Sequence, residues 1–203
     1  MVKIKRNSKR QLEEFFNFQI ATLRDRGTPE QIVEIFQNQK GAVLNKVRKV
    51  TFRNGNIPFI PVIPRTFRGP YDLIVMVKNG EKAGCVQLNP TAISDVVDAP
   101  QAPYYIYDVE NGNVTRGQSP KDARKIFKRQ KRSPLTAAEV MALATHTDVL
   151  LRHYVWAPGS RYGSADMIPD IGLLDGSGRP GLAWDYVRDS SNYWGSPSCG
   201  SRG

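Results

Sequence analysis

From residue 12 onward, apolar side chains recur every three or four positions: Leu12, Phe15, Phe16, Ile20 and Leu23, then Ile32, Ile35, Phe36, Val43 and Val47. That spacing places each set on one face of a helix. Ser8-Lys9-Arg10-Gln11 has the form of a capping box before the first set, and Gly27 suits the left-handed residue that ends such a helix. Thr28-Pro29-Glu30-Gln31 is expected to open the second helix the same way, with Pro at its first position. The pattern predicts a helical hairpin over residues 1–55, its second arm interrupted by Gly41.

After Asn54-Gly55 the pattern changes to short apolar runs between turn residues. IPFIPVIP (57–64) is rich in β-branched residues, but Pro58, Pro61 and Pro64 each lack a ladder donor, so it suits only a sheet edge. Residues 71–88 predict two strands joined at Asn79-Gly80, and residues 104–117 repeat the device at Asn111-Gly112. Two helices then follow: KDARKIFKRQKR behind Ser119-Pro120, and a segment opened by the capping box Thr136-Ala137-Ala138-Glu139, with Val140, Leu143, Ala144, Thr147 and Leu151 on one face. MIPDIGLL (167–174) and LAWDYV (182–187) predict a last hairpin. The fold class is α+β: an N-terminal helical hairpin, then a mixed or antiparallel sheet packed by two helices.

The 203 residues, 40% of them hydrophobic, are enough for one sizeable core. The division expected from the pattern is a helical hairpin with a basic arm over 1–55 and an α+β domain over 56–203. No run is long and apolar enough to span a membrane, and the basic start leads into QLEEFFNF without the apolar stretch of a signal peptide. The cytoplasm is the expected address. Cys85 and Cys199 are read as reduced thiols, and two Cys with two His at open spacing exclude a four-ligand zinc site. No metal and no cofactor is called for.

Charge narrows the function classes. Twelve Lys and Arg face five Asp and Glu in residues 1–55, and nine face five in residues 104–153, within a chain of net charge +10. Clustered base of this kind is the footprint of a phosphate-bearing partner or another polyanion. In the segment 120–132, Ala123, Ile126 and Phe127 form a narrow apolar stripe, while Lys121, Arg124, Lys125, Lys128, Arg129, Lys131 and Arg132 cover the rest. Such a helix docks by one side and offers a single-sign face to nucleic acid backbones, with the N-terminal Lys3, Lys5, Arg6, Lys9 and Arg10 as a second arm. Stacking aromatics would sharpen that reading. Tyr104, Tyr105 and Tyr107 lie on one strand, the last two on the same face, so either set suits a core.

The chain's last residues, NYWGSPSCGSRG, raise a different chemistry. Cys199 beside Arg202 or His146 would have its thiolate favoured, and Cys199 as nucleophile, His146 as base and Asp148 or Asp185 as orienter would form an acyl-transfer or small-molecule site. Alternatively Cys199, Trp184 and Trp194 are core and His146 closes a helix. Gly159-Ser160-Arg161-Tyr162-Gly163 adds a loop in which amides and a guanidinium can meet an anion, making Arg161 and Arg202 further anion-binding candidates.

The succession IPFIPVI, PYYIYDVENG, RSPLTAAEVMALATH, GSRYG and LAWDYV, ending in YWGSPSCGSR, resembles an uncharacterised bacterial domain family of unknown function over roughly residues 57–203. The matching positions are Thr145 and His146; Gly159, Ser160 and Arg161; Trp184; and Trp194, Gly195, Ser196, Ser198, Cys199, Gly200 and Arg202. The chain departs from the pattern in having Tyr-Trp where the family has Trp-Leu, and in a far more basic helix at 119–132. The resemblance implies the fold and a C-terminal cluster, and supplies no activity. The leading expectation is therefore a non-catalytic binder of nucleic acid. The Cys199/His146 enzyme and a structural or protein-partner module stand as alternatives.

Overall fold

The computed structural model describes residues 9–49 and 55–203. The expected cap at Ser8 and most of the basic arm lie outside these residues. Helix α1 (Lys9–Asp25) buries Leu12, Phe16, Ile20 and Leu23, as its spacing predicts. The second arm is two helices, α2 (Glu30–Asn38) and α3 (Lys40–Lys49). Gln39 ends α2, and its Nε2 donates to the Pro103 carbonyl at 3.0 Å, which ties the break to the rest of the fold. Thr28 does not cap α2. Pro29 holds that position without a side-chain bond, while the Thr28 hydroxyl is buried with its Oγ1 at 4.0 Å from the Met76 sulfur.

The centre is a three-stranded antiparallel sheet in which Tyr104–Val109 lies between Ile57–Val62 and the C-terminal Ser201–Arg202. The proline-rich strand is indeed an edge, the sheet position that tolerates missing donors. Alternation then sorts the tyrosines. Tyr105 packs against Phe16, Phe36 and Phe59 at 6.0, 5.4 and 5.8 Å between ring centroids, which places α1 and α2 on that face. Tyr104, on the opposite face, donates its hydroxyl to Glu139 of helix α6 (Ala137–His146) at 2.8 Å. All three tyrosines are buried.

Several turns differ from expectation. Pro70 starts a short helix, α4 (Pro70–Ile74), whose Leu73 and Ile74 are buried where a strand was predicted. The Asn79-Gly80 turn does form a hairpin, with Gly80 at φ +57°, but its arms are only Lys78–Asn79 and Lys82–Ala83. Cys85–Val86 then leaves to pair in parallel with Gly181–Leu182. Asn111-Gly112 makes no hairpin: Glu110 accepts from the amides of Gly112 and Val114, and the chain enters a 3-10 turn at Asn113–Thr115.

Helix α5 (Pro120–Gln130) starts at Ser119 and α6 at the Thr136 capping box, both as predicted. The latter ends at His146 rather than continuing past Leu151, because Thr147 turns extended, its hydroxyl donating to the Leu143 carbonyl and accepting from the Val149 amide. Met167–Leu173 and Pro180–Tyr186 form the predicted hairpin at the centre of a second, five-stranded sheet, with Tyr154–Trp156 and Trp194–Gly195 on one side and Cys85–Val86 on the other. A single hydrophobic cluster runs from Leu12 through both sheets to Cys199, so buried residues on both sides of residue 56 share it. Trp156, Ile168 and Val187, with Trp194, form a smaller one. Among the described residues, no helix is long and apolar enough to cross a membrane.

Candidate nucleic-acid interface

Ser119 accepts from the Asp122 amide at 3.2 Å, Pro120 occupies the first turn, and Ala123 and Phe127 are buried, so α5 docks by the predicted stripe. Lys121, Lys125, Lys128, Arg129 and Lys131 are exposed. Only Lys125 has an ion-pair partner among the described residues, Asp122 at 2.8 Å. An i, i+3 pair at this exposure is screened by water and contributes little. The other four cations therefore project a single-sign field from one helix face.

Arg124 is half-buried, and its charge reaches Arg161. Arg132 lies beyond the left-handed Lys131 that ends the helix, and it turns inward. Its guanidinium pairs with the Asp108 carboxylate and carbonyl and donates to Ser198 Oγ and O at 2.8 and 3.0 Å. A buried cation with every partner in place holds strands together and is not offered to a ligand.

Arg161 and Arg202 are likewise engaged by the fold. The 159–163 segment is no anion loop: Ser160–Tyr162 is a strand paired with Ile93–Asp95. Ser160 accepts from the Ala137 amide at 2.8 Å and donates to Asp95 at 2.5 Å, which clamps the start of α6. Arg161 donates to the carbonyls of Ser160 and Pro158 at 2.6 and 3.3 Å, and burial together with Arg124 lowers its pKa. Arg202 grips Glu139 through Nε and Nη2, at 2.6 and 2.8 Å, and adds bonds to Ser133 and Pro134.

Cys199 sits beneath that pair, fully buried and opposite Ser133. Burial first, and then the Glu139 carboxylate, push its thiol up to about 12, against the pull of Arg202 and Arg132. The expected thiolate is thus disfavoured despite two nearby guanidiniums, because desolvation outweighs them. His146 lies seven residues along α6 from Glu139, roughly 10 Å at helical rise, and is lowered to about 3 by burial and by Arg26. Cys199 and His146 thus belong to opposite ends of one helix. Of the suggested orienters, Asp148 pairs with Arg152 and Asp185 accepts from the Trp156 indole.

One set of residues escaped the sequence reading. Trp184 and Tyr186 are not core: they are 37% and 51% exposed. Tyr162 stacks on Trp184 at 5.8 Å, and Tyr186 meets the same indole edge-on at 5.5 Å. This aromatic ladder adjoins α5, since the Lys121 amide donates to the carbonyl of Val187, the residue after Tyr186, at 2.9 Å. The period-two spacing of Leu182, Trp184 and Tyr186 signals a shared face, but the pattern alone does not say where that face leaves the core. Buried Leu182 begins it and exposed Tyr186 ends it.

No curated protein and no solved structure matches the chain significantly. Residues 16–202 match a protein family, including the latter part of α1 and all of α2 and α3, beyond the span of the sequence resemblance. The chain therefore belongs to DUF5701, a family of unknown function.

Proposed function

We propose that the protein binds nucleic acid, single-stranded in preference to duplex, by holding the phosphate backbone on α5 and stacking bases on the ladder of Tyr162, Trp184 and Tyr186. The observation that carries this reading is the exposed face of Lys121, Lys128, Arg129 and Lys131, in no ion pair among the described residues and bonded at its start to the aromatic strand. Cations supply sequence-independent affinity, and exposed rings supply a platform that any base can use.

The test is affinity for labelled oligonucleotides across a salt series. Binding to single strands should fall with salt at a log-log slope of about −0.7 per phosphate contact. Reversing Lys125, Lys128 and Arg129 to Glu should abolish binding with the circular dichroism unchanged. Trp184→Ala should weaken single-strand binding by about 1–3 kcal/mol per stacked base and leave duplex binding nearly unaltered. Affinity that survives the triple reversal would remove α5 from the interface.

A further inference from the structure

Away from α5, a cleft of about 370 Å³ opens between α1, the Lys78–Lys82 hairpin and the end of α6. That volume lies within the range of small-molecule sites. Its lining combines cations with apolar surface. Arg26 directly follows α1, and its Nε is buried without a hydrogen-bond partner, 3.6 Å from the exposed Asp25 carboxylate with which it forms a loose ion pair. Lys78 has no acidic partner among the described residues. His146 is 8% exposed, and its Nδ1 is buried and likewise unpartnered. Asp148, the acid in the lining, is already held by Arg152 at 2.8 Å. Phe18 and Leu151, 60% and 69% exposed, supply apolar surface on two sides.

Buried polar atoms are nearly always hydrogen-bonded, and those left over need an explanation. Here two such atoms belong to Arg26 and His146, which line one cavity together with Lys78, a lysine without an ion pair among the described residues. We propose that this cleft binds a small organic anion, its acidic group between Arg26 and Lys78, with the His146 ring as a hydrogen-bonding partner and the apolar body against Phe18 and Leu151. A ligand with an apolar body would take the exposed surface of Phe18 and Leu151 out of water. Burial and the Arg26 charge keep the imidazole neutral, so one ring nitrogen donates and the other accepts.

His146 and His153 are the two histidines of the chain, so each gives a distinct ring signal in a carbon-proton NMR spectrum, assigned with His146→Gln. The full chain is titrated with phenyl phosphate, benzoate, inorganic phosphate and benzyl alcohol. Phenyl phosphate or benzoate should move the His146 signal saturably and leave that of His153 in place, and the tighter of the two tells whether the acidic group is a phosphate or a carboxylate. Inorganic phosphate and benzyl alcohol should each bind at least about tenfold more weakly, since each makes only half of the contacts. Lys78→Glu, on a surface hairpin, should weaken the aryl anion by a similar factor with the circular dichroism unchanged. A His146 signal that neither aryl anion moves at about 10 mM overturns the proposal. So does binding that Lys78→Glu leaves intact, or equal binding by inorganic phosphate or by benzyl alcohol.

Discussion

Besides accepting from Tyr104, Glu139 performs two further tasks with one carboxylate. Its Oε2 accepts from the Thr136 amide at 2.8 Å and closes the capping box of α6, while both oxygens receive the Arg202 guanidinium. Glu139 is fully buried and the Arg202 side chain is 11% exposed, so removing one partner strands the other charge. Glu139→Ala should cost about 3–5 kcal/mol by urea unfolding, the range for breaking a buried pair; a loss below about 1 kcal/mol would show that water reaches Arg202. Cys199, in contact with the same network, should react with iodoacetamide near neutral pH only as the fold opens. Rapid alkylation with a midpoint below the free-thiol value of about 8.5 would restore the nucleophile reading. These residue roles were half legible: Cys199 with Arg202 close behind it was visible in the chain, but whether burial or the cation governs the thiol depends on what covers it.

Among the elements, most of those governed by neighbouring residues followed expectation, the cap at Thr28 being the exception. Ser119-Pro120 and Thr136 begin α5 and α6, and the proline-rich strand is an edge, because caps and missing donors act within a few residues. Elements that depend on a distant partner did not follow. Residues 71–76 have strand-like composition, yet Pro70 starts a helix and Leu73 and Ile74 are buried by it; Asn111-Gly112 has a hairpin sequence, yet no second strand is there to pair. Close approach between elements sets a further constraint at Gly159, where an added Cβ would stand 2.7 Å from the carbonyl carbon and oxygen of Leu135. Backbone cannot swing aside as a side chain does. Gly159→Ala should therefore destabilise by about 1–3 kcal/mol through displacement of the α6 entry, measured as a lower midpoint of thermal unfolding. An unchanged midpoint would mean that the two segments separate freely.

At the scale of the whole molecule, the proposed function makes a net charge of +10 act on stability and on binding in opposite directions. Salt screens the self-repulsion of the folded chain but also competes for phosphates. Raising sodium chloride from about 50 to 200 mM should leave the melting temperature level or slightly higher while single-strand affinity falls by one or more orders of magnitude. A parallel fall of both would assign the salt effect to unfolding. The sequence by itself determined the α+β class, the apolar faces of α1 and α5, the final hairpin and the charge of α5, since each follows from spacing that a short window contains. Only the tertiary structure decided which cations are free. Arg132 and Arg202 look no different from Lys128 in the chain, yet Asp108 and Glu139, 24 and 63 residues away, draw them inside. The same folding left Trp184 and Tyr186 uncovered beside α5 and gathered Arg26, Lys78 and His146 around one cleft. Charge pairing and burial at such separations are properties of the packed chain, where desolvation sets the cost of every unpaired group.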